Sequence, residues 1–150
     1  GPHVELNETI RVERPPQAVF DAWARIDRAT RHNPSVVERA KLTEGPIGAG
    51  TRFAAVDRWP GLDVRYTVEL TVFERPERIA AIWSNPLSGG WDAIFEPRGE
   101  STEMRFHATL QPAGVYGLVL RLLWPWYRRQ VRVFLETFRD SVESGSAERM

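Results

Sequence analysis

The sequence predicts an α+β fold in which a strongly curved antiparallel sheet wraps around a long C-terminal helix. Two periodicities and one length argument predict it. Between residues 36 and 111, short alternating apolar runs follow one another, separated only by Gly/Pro-rich turns, so successive strands must pair antiparallel. From Gln111 to Glu143 the period changes. Leu120, Leu123, Trp124, Tyr127, Val131, Phe134, Leu135, Phe138 and Val142 recur every three or four residues, while Arg121, Arg128, Arg129, Arg132, Arg139 and Asp140 fall largely off that stripe. A helix of roughly 28 residues is about 42 Å long, whereas a domain of this size has a radius of gyration of about 15 Å. The helix therefore crosses the whole molecule, and a curved sheet is the economical way to bury its stripe. Such a sheet need not touch the helix everywhere, and the gap is where function is expected.

The elements follow in order. Gly1-Pro2-His3 reads as a cloning scar and is set aside. Val4 to Glu13 alternates, with Val4, Leu6, Ile10 and Val12 on one face, and stops at Pro15-Pro16. Proline is tolerated where a helix begins, because the N–H it lacks would have no intrahelical partner. A short helix with the stripe Val19, Phe20, Trp23, Ile26 starts there, and a second short turn at about Arg28 to His32 ends before Pro34. Strands are expected at about Val36–Glu44, Thr51–Trp59, Leu62–Glu74, Arg78–Ser84, Gly90–Glu96 and Thr102–Gln111. One domain spans residues 4–143, and residues 144–150 read as a frayed tail.

Pro125 interrupts the helical pattern. It has no N–H to donate and clashes with the preceding turn, so the helix kinks or starts afresh there, dividing Val115–Leu123 from a longer amphipathic part. Two readings stay open. Pro125 either begins a rigid helix whose tryptophans are core, or the segment Leu123 to Tyr127 joins the Pro86–Gly90 loop as a gate over a cavity mouth. In the second case Trp124 and Trp126 would be the points of a transient membrane contact.

Composition narrows the function. Twenty Lys plus Arg balance twenty Asp plus Glu, so no net field draws nucleic acid. The absence of cysteine removes disulfides, thiol nucleophiles and thiolate metal sites. His3, His32 and His107 are too scattered to form a metal motif, and no P-loop, nucleophile elbow or dinucleotide fingerprint occurs. No metal or cofactor is implied. No signal peptide is evident and the most apolar stretch, Val115–Trp126, is broken by Arg121, so a soluble cytoplasmic protein is expected. Oligomeric state has no signature in the sequence.

Strand parity assigns faces, because residues two apart share a side. Tyr66 travels with Val64, Val68, Leu70 and Val72 toward the interior; Met104, Phe106, Ala108 and Leu110 do likewise, leaving His107 and Arg105 outside. The same rule gives an inner face of Phe53, Trp59, Trp83, Trp91 and Phe95, joined by Trp23 from the short helix. Six tryptophans, most of them pointing one way, exceed what a small core needs, so some are expected to line a pocket with Tyr66, Phe106, Trp124 and Tyr127. Three carboxylates fall in phase with these faces: Glu8, Glu38 and Asp57. A carboxylate inside an apolar sheet must be paired, protonated or at a wet mouth. Glu38, near a strand end, is assigned to the rim. For Glu8 and Asp57 a salt bridge or an outward-turning bulge stands against orientation of a polar ligand group or acid–base work with Tyr66.

The order of these features carries a family resemblance. Pro-Pro-Gln-Ala-Val-Phe opens a short helix followed by Asp27 and Pro34; Gly48-Ala49-Gly50-Thr51 leads into a strand; Phe73-Glu74-Arg75-Pro76 ends one; and a long helix closes the chain. In this it resembles the START-like (SRPBCC, Bet v 1-like) superfamily, and within it the polyketide cyclase/dehydrase and lipid-transport group. The resemblance implies a helix-grip fold, with seven antiparallel strands, two short helices between strands 1 and 2, and a hydrophobic cavity between sheet and C-terminal helix. It further implies a hydrophobic or aromatic small molecule, lipid or polyketide-like, as the partner; the alternative is a cofactor-independent cyclase/dehydratase using pocket shape with Asp57, Glu8 and Tyr66. His32-Asn33 stands where many members of the group carry a Trp before the proline.

Overall fold

The computed structural model describes residues 4–25, 36–84, 88–111 and 114–145, the side chains of 36, 38 and 114–116 excepted. The chain runs β1 (Val4–Val12), α1 (Pro16–Ala24), β2 (Val36–Lys41), β3 (Arg52–Trp59), β4 (Leu62–Glu74), β5 (Arg78–Ser84), β6 (Gly89–Arg98), β7 (Ser101–Leu110), α2 (Gly114–Leu122) and α3 (Trp124–Ser144). The strands form one seven-stranded antiparallel sheet in the order β1-β7-β6-β5-β4-β3-β2. This is the helix-grip arrangement. The second short helix expected near residues 28–32, with His32-Asn33, and the tail from 146 onward lie outside the described residues.

Each sheet-to-helix junction has a physical cause. Pro15 caps α1 in an extended conformation and Pro16 opens it, so that Val19, Phe20, Ala22 and Trp23 turn inward. The far end of α3 is fastened to the exit of β1: the Glu13 amide donates to Glu143 Oε2 at 2.7 Å, and Arg14 Nη1 donates to the Val142 carbonyl at 3.2 Å. Gly145, at φ 79°, closes the helix with an amide donated to the same carbonyl. Val131, Phe134, Leu135, Phe138 and Val142 bury the stripe that the periodicity predicted.

The C-terminal helix is two helices rather than one. Leu122 ends α2, Leu123 stands between them at φ −89°, ψ 0°, and Pro125 lies in the first turn of α3. Backbone bonding survives the break because the Leu123 amide reaches Val119 O and the Tyr127 amide reaches Leu123 O. Proline thus restarts the helix where its missing N–H costs nothing.

Three local expectations are corrected by the sheet. In β2 the register shifts between Val36 and Glu38, which places Arg39 opposite Ala55 and Glu38 opposite Val56. Ala40 is consequently exposed, and Arg39 takes an inner-face position. In β4 a second shift between Leu70 and Val72 inverts the alternation, so Phe73, not Val72, packs inward, its ring 5.2 Å from Phe20. Gly89 joins Gly90, where this strand is expected to begin, in β6 rather than in a free loop. A Cβ on Gly90 would collide with the Ala81 carbonyl, and one on Gly89 with that of Thr109, so glycine here permits close backbone approach. Residues 85–87 of the expected gate loop lie outside the described residues.

Candidate functional site

The inward aromatics divide into two groups, which periodicity alone could not separate. Trp23 packs against Trp91, Phe106, Phe134 and Phe138 at ring separations of 5.2 to 5.6 Å, and Phe95 meets Phe20 at 5.6 Å. These residues, with the fully buried Phe53, are core under α1 and α3. Trp59, Tyr66, Trp83, Trp124 and Tyr127 instead surround a cavity together with Asp57 and Leu110. Its free volume is only about 10 Å³, room for no more than one water. The gap expected between sheet and helix is filled by rings.

Asp57 is the polar centre of this cavity and is 4% exposed. In the β3–β4 ladder Tyr66 lies opposite Ala55 and Asp57 opposite Val64, so the two side chains are diagonal neighbours on one face. Tyr66 Oη donates to Asp57 Oδ1 at 2.9 Å. Burial pushes the Asp57 carboxyl from 3.8 up to about 6, against the opposing pull of the Arg39 charge and the Tyr66 hydrogen bond. Burial first, then the Asp57 charge, pushes the Tyr66 hydroxyl well above its ordinary value of 10.0, and the same two causes raise Tyr127. At neutral pH the cluster therefore holds a mostly ionised carboxylate receiving a hydrogen bond from a firmly neutral phenol.

Arg39 is the charged neighbour of this cluster that sequence reading missed. Its Nε is buried without a hydrogen-bond partner, and its charge acts on Asp57, Tyr66 and Tyr127 together. The signal that could have found it is the β2 bulge, which has no sequence signature.

Glu8 shares the inner face of β1 with Leu6, as expected, but is not brought to Asp57 and Tyr66. Its side chain, 13% exposed, is engaged by Arg132 Nη1 of α3 at 3.0 Å, with Arg132 Nε also 3.6 Å from Glu136. Nothing is described of the Glu38 side chain. His107 is on the outer side beside Asn7. Among the described residues no group of three His, Asp or Glu side chains could hold a metal ion, and no helix is long and apolar enough to cross a membrane.

Tyr127 sits between two indoles. Trp59 stacks on one side, with centroids 4.7 Å apart and planes at 10°, and Trp124 on the other, at 5.2 Å and 27°. Trp124 Nε1 donates to the Glu5 carbonyl at 3.2 Å, tying the start of α3 to β1. Trp124 is thus buried at the start of α3. The exposed apolar side chains nearby are Leu118, Val119 and Leu122 of α2.

Comparison with known proteins agrees with this architecture. The protein TTHA0849 from Thermus thermophilus superposes with a TM-score of 0.81 at 20% identity, covering 95% of this chain and 99% of that one. Norcoclaurine synthase from Thalictrum flavum, solved as a point mutant with a transition-state analogue, gives 0.71 at 8% identity over 97% of both chains. The di-domain ARO/CYC protein StfQ of the steffimycin biosynthetic pathway gives 0.69 at 18%, covering 96% of this chain and 46% of that one. At these identities the likeness is one of fold. No curated protein matches the sequence. The family model for polyketide cyclase / dehydrase and lipid transport matches residues 3–143, and with nearly the whole chain matched and the helix-grip sheet in place, the protein belongs to that family of the START-like superfamily.

Proposed function

We propose that this protein binds a hydrophobic or aromatic small molecule, lipid- or polyketide-like, between the β3–β5 part of the sheet and the start of α3. The observation that carries the reading is the Asp57–Tyr66 pair at the centre of an aromatic enclosure. A buried carboxylate costs several kcal/mol unless compensated, and a fold needing only stability would have used an apolar residue there. The pair offers one acceptor and one donor to a ligand whose remaining surface is apolar, which is how small-molecule sites fix orientation. Native mass spectrometry and tryptophan quenching with fatty acids, isoprenoids and hydroxylated polycyclic aromatics test it. Binding that weakens in Tyr66→Phe and Asp57→Asn is expected; no binding by any of these classes overturns the reading.

A second reading is favoured by one specific feature, the proton affinity of Asp57 near neutrality. A group titrating near the working pH is suited to general acid–base catalysis. Asp57 would take a proton from a carbon flanked by carbonyls, and the resulting enolate would attack a second carbonyl. The proton on Asp57 returns to the new alkoxide, which Tyr66 holds by a hydrogen bond. A second deprotonation of the same carbon by Asp57 expels the hydroxyl, which takes up that proton and leaves as water. The family's cyclase/dehydrase members and the ARO/CYC designation of StfQ support this route. Turnover of a polyketone chain that survives unchanged in Asp57→Asn would remove it.

A further inference from the structure

Trp59 belongs to two spaces at once. It lines the small cavity with Asp57 and Tyr66, and on its other side, 3% exposed and with the Trp126 ring 5.6 Å away, it borders an open groove of about 740 Å³ at the β3–β4 turn that Pro60, Leu62 and Trp126 also line. The indole is therefore the partition between groove and polar pair. It closes the β3–β4 ladder as the partner of Leu62, beside the two-residue turn Pro60-Gly61, where Gly61 takes φ 74°. A strand end next to a tight turn is where a ladder opens most readily. Among the described residues no hydrogen bond holds the Trp59 indole, whereas Trp124 on the opposite face of Tyr127 is fastened to Glu5.

We propose that Trp59 is the door of this site, and that the ligand is a planar aromatic of about indole size carrying a hydroxyl or carbonyl oxygen, which displaces the indole and takes its place against Tyr127. This rests on the reading of the Asp57–Tyr66 cavity as a ligand site. Three observations select the ligand class. The space released is the space of a planar bicyclic ring. Tyr127 retains Trp124 behind it, so the vacated face remains a flat, backed surface on which another aromatic ring stacks. Trp59 and Asp57 share one strand face two residues apart, a spacing of about 7 Å, so a ring in the place of the indole presents an oxygen substituent to the pair. A hydroxyl donates to the Asp57 carboxylate; a carbonyl accepts from the Asp57 carboxylic acid once it is protonated.

The same geometry accounts for a closed cavity of about 10 Å³ in a chain whose family binds or transforms small molecules. With the door shut, the indole occupies the site in the ligand's stead.

Stopped-flow mixing of the full chain with 2-naphthol, followed by naphthol emission, tests the proposal in the wild type, Trp59→Leu, Trp59→Phe, and each of these combined with Asp57→Asn. Leucine keeps an apolar side chain without a stack, and phenylalanine keeps a smaller ring should the leucine variant fail to fold. Association is expected to accelerate about tenfold in Trp59→Leu and less in Trp59→Phe, while Asp57→Asn weakens binding of naphthol relative to unsubstituted naphthalene in every background. If Asp57→Asn weakens naphthol binding but neither Trp59 variant alters the association rate, the door is overturned and the ligand site stands. If naphthol binding ignores Asp57, or is absent in all variants, the ligand site is overturned and the door with it.

Discussion

Asp57 receives a side-chain hydrogen bond from Tyr66, a diagonal cross-strand neighbour, at a point where both are sealed from water by Trp59, Trp83 and Tyr127. This relationship makes the site a source of instability as well as of chemistry. The folded-state carboxyl titrates at about 6 against an ordinary 3.8. Below 3.8 the group is protonated in both states and contributes nothing to the pH dependence. Between 3.8 and about 6 the folded state holds more protons than the unfolded one, so stability falls as pH rises. Above about 6 the full cost is present, on the order of 3 kcal/mol from the difference of the two values. Urea titrations of wild type and Asp57→Asn at pH 4 and pH 7.5 should show the wild type losing roughly that much relative to the variant over this interval; parallel curves would mean that Asp57 titrates normally.

Arg39 acts on the same equilibrium with the opposite sign. Its positive charge favours the Asp57 carboxylate, so Arg39→Met should move the Asp57 inflection, followed by carboxyl 13C NMR, to higher pH. An inflection that stays in place would show that the guanidinium charge is screened from the cavity.

The division between what could and could not be read from the chain follows from these two residues. Alternation along β3 and β4 brought Asp57, Trp59 and Tyr66 to one face correctly, because both strands are regular through that stretch and period-two patterning determines facing. Arg39 escaped notice because a bulge slips the β2 register, and a one-residue slip exchanges the faces. The Phe73 inversion has the same origin. Periodicity also reports which way a ring points and not where along the helix it lands. Trp23, Phe53, Trp91, Phe95 and Phe106 could not be told in advance from Trp59, Trp83, Trp124 and Tyr127, although all pack in or against one core and only the latter four line the cavity at Asp57. Glu8 was placed on the correct face, but its partner Arg132 comes from α3, 124 residues away, and such pairing has no local signature.

Gly90 gives a prediction about the sheet itself. Pairing with Ile82 on one side and Thr109 on the other leaves no room for a Cβ against the Ala81 carbonyl. Backbone cannot yield as a flexible side chain would, so Gly90→Ala should destabilise the protein by about 1–3 kcal/mol or more. Thermal unfolding checks this. A variant of unchanged stability would show that β5 and β6 separate at this end without cost.

The break at Leu123 divides two helices that are held very differently. On α2, Leu118 and Leu122 are 56% and 71% exposed, and among its described side chains Leu120 alone is buried in the core. From Trp124 onward α3 is anchored at its first residue by the Glu5 bond and at its end by Glu143 and Val142 acting on Glu13 and Arg14. Local opening follows burial and anchoring. Amide exchange followed by mass spectrometry should therefore show residues 117–122 opening faster than residues 131–142, with residues 127–130 protected like the latter, because the stack of Tyr127 on Trp124 holds the first turn. If 127–130 instead exchange together with α2, the segment moves as one gate with α2, and Trp59 is not the only ring that must shift to admit a ligand. Uniform protection from 117 to 142 would mean that α2 and α3 behave as a single rigid helix despite Pro125.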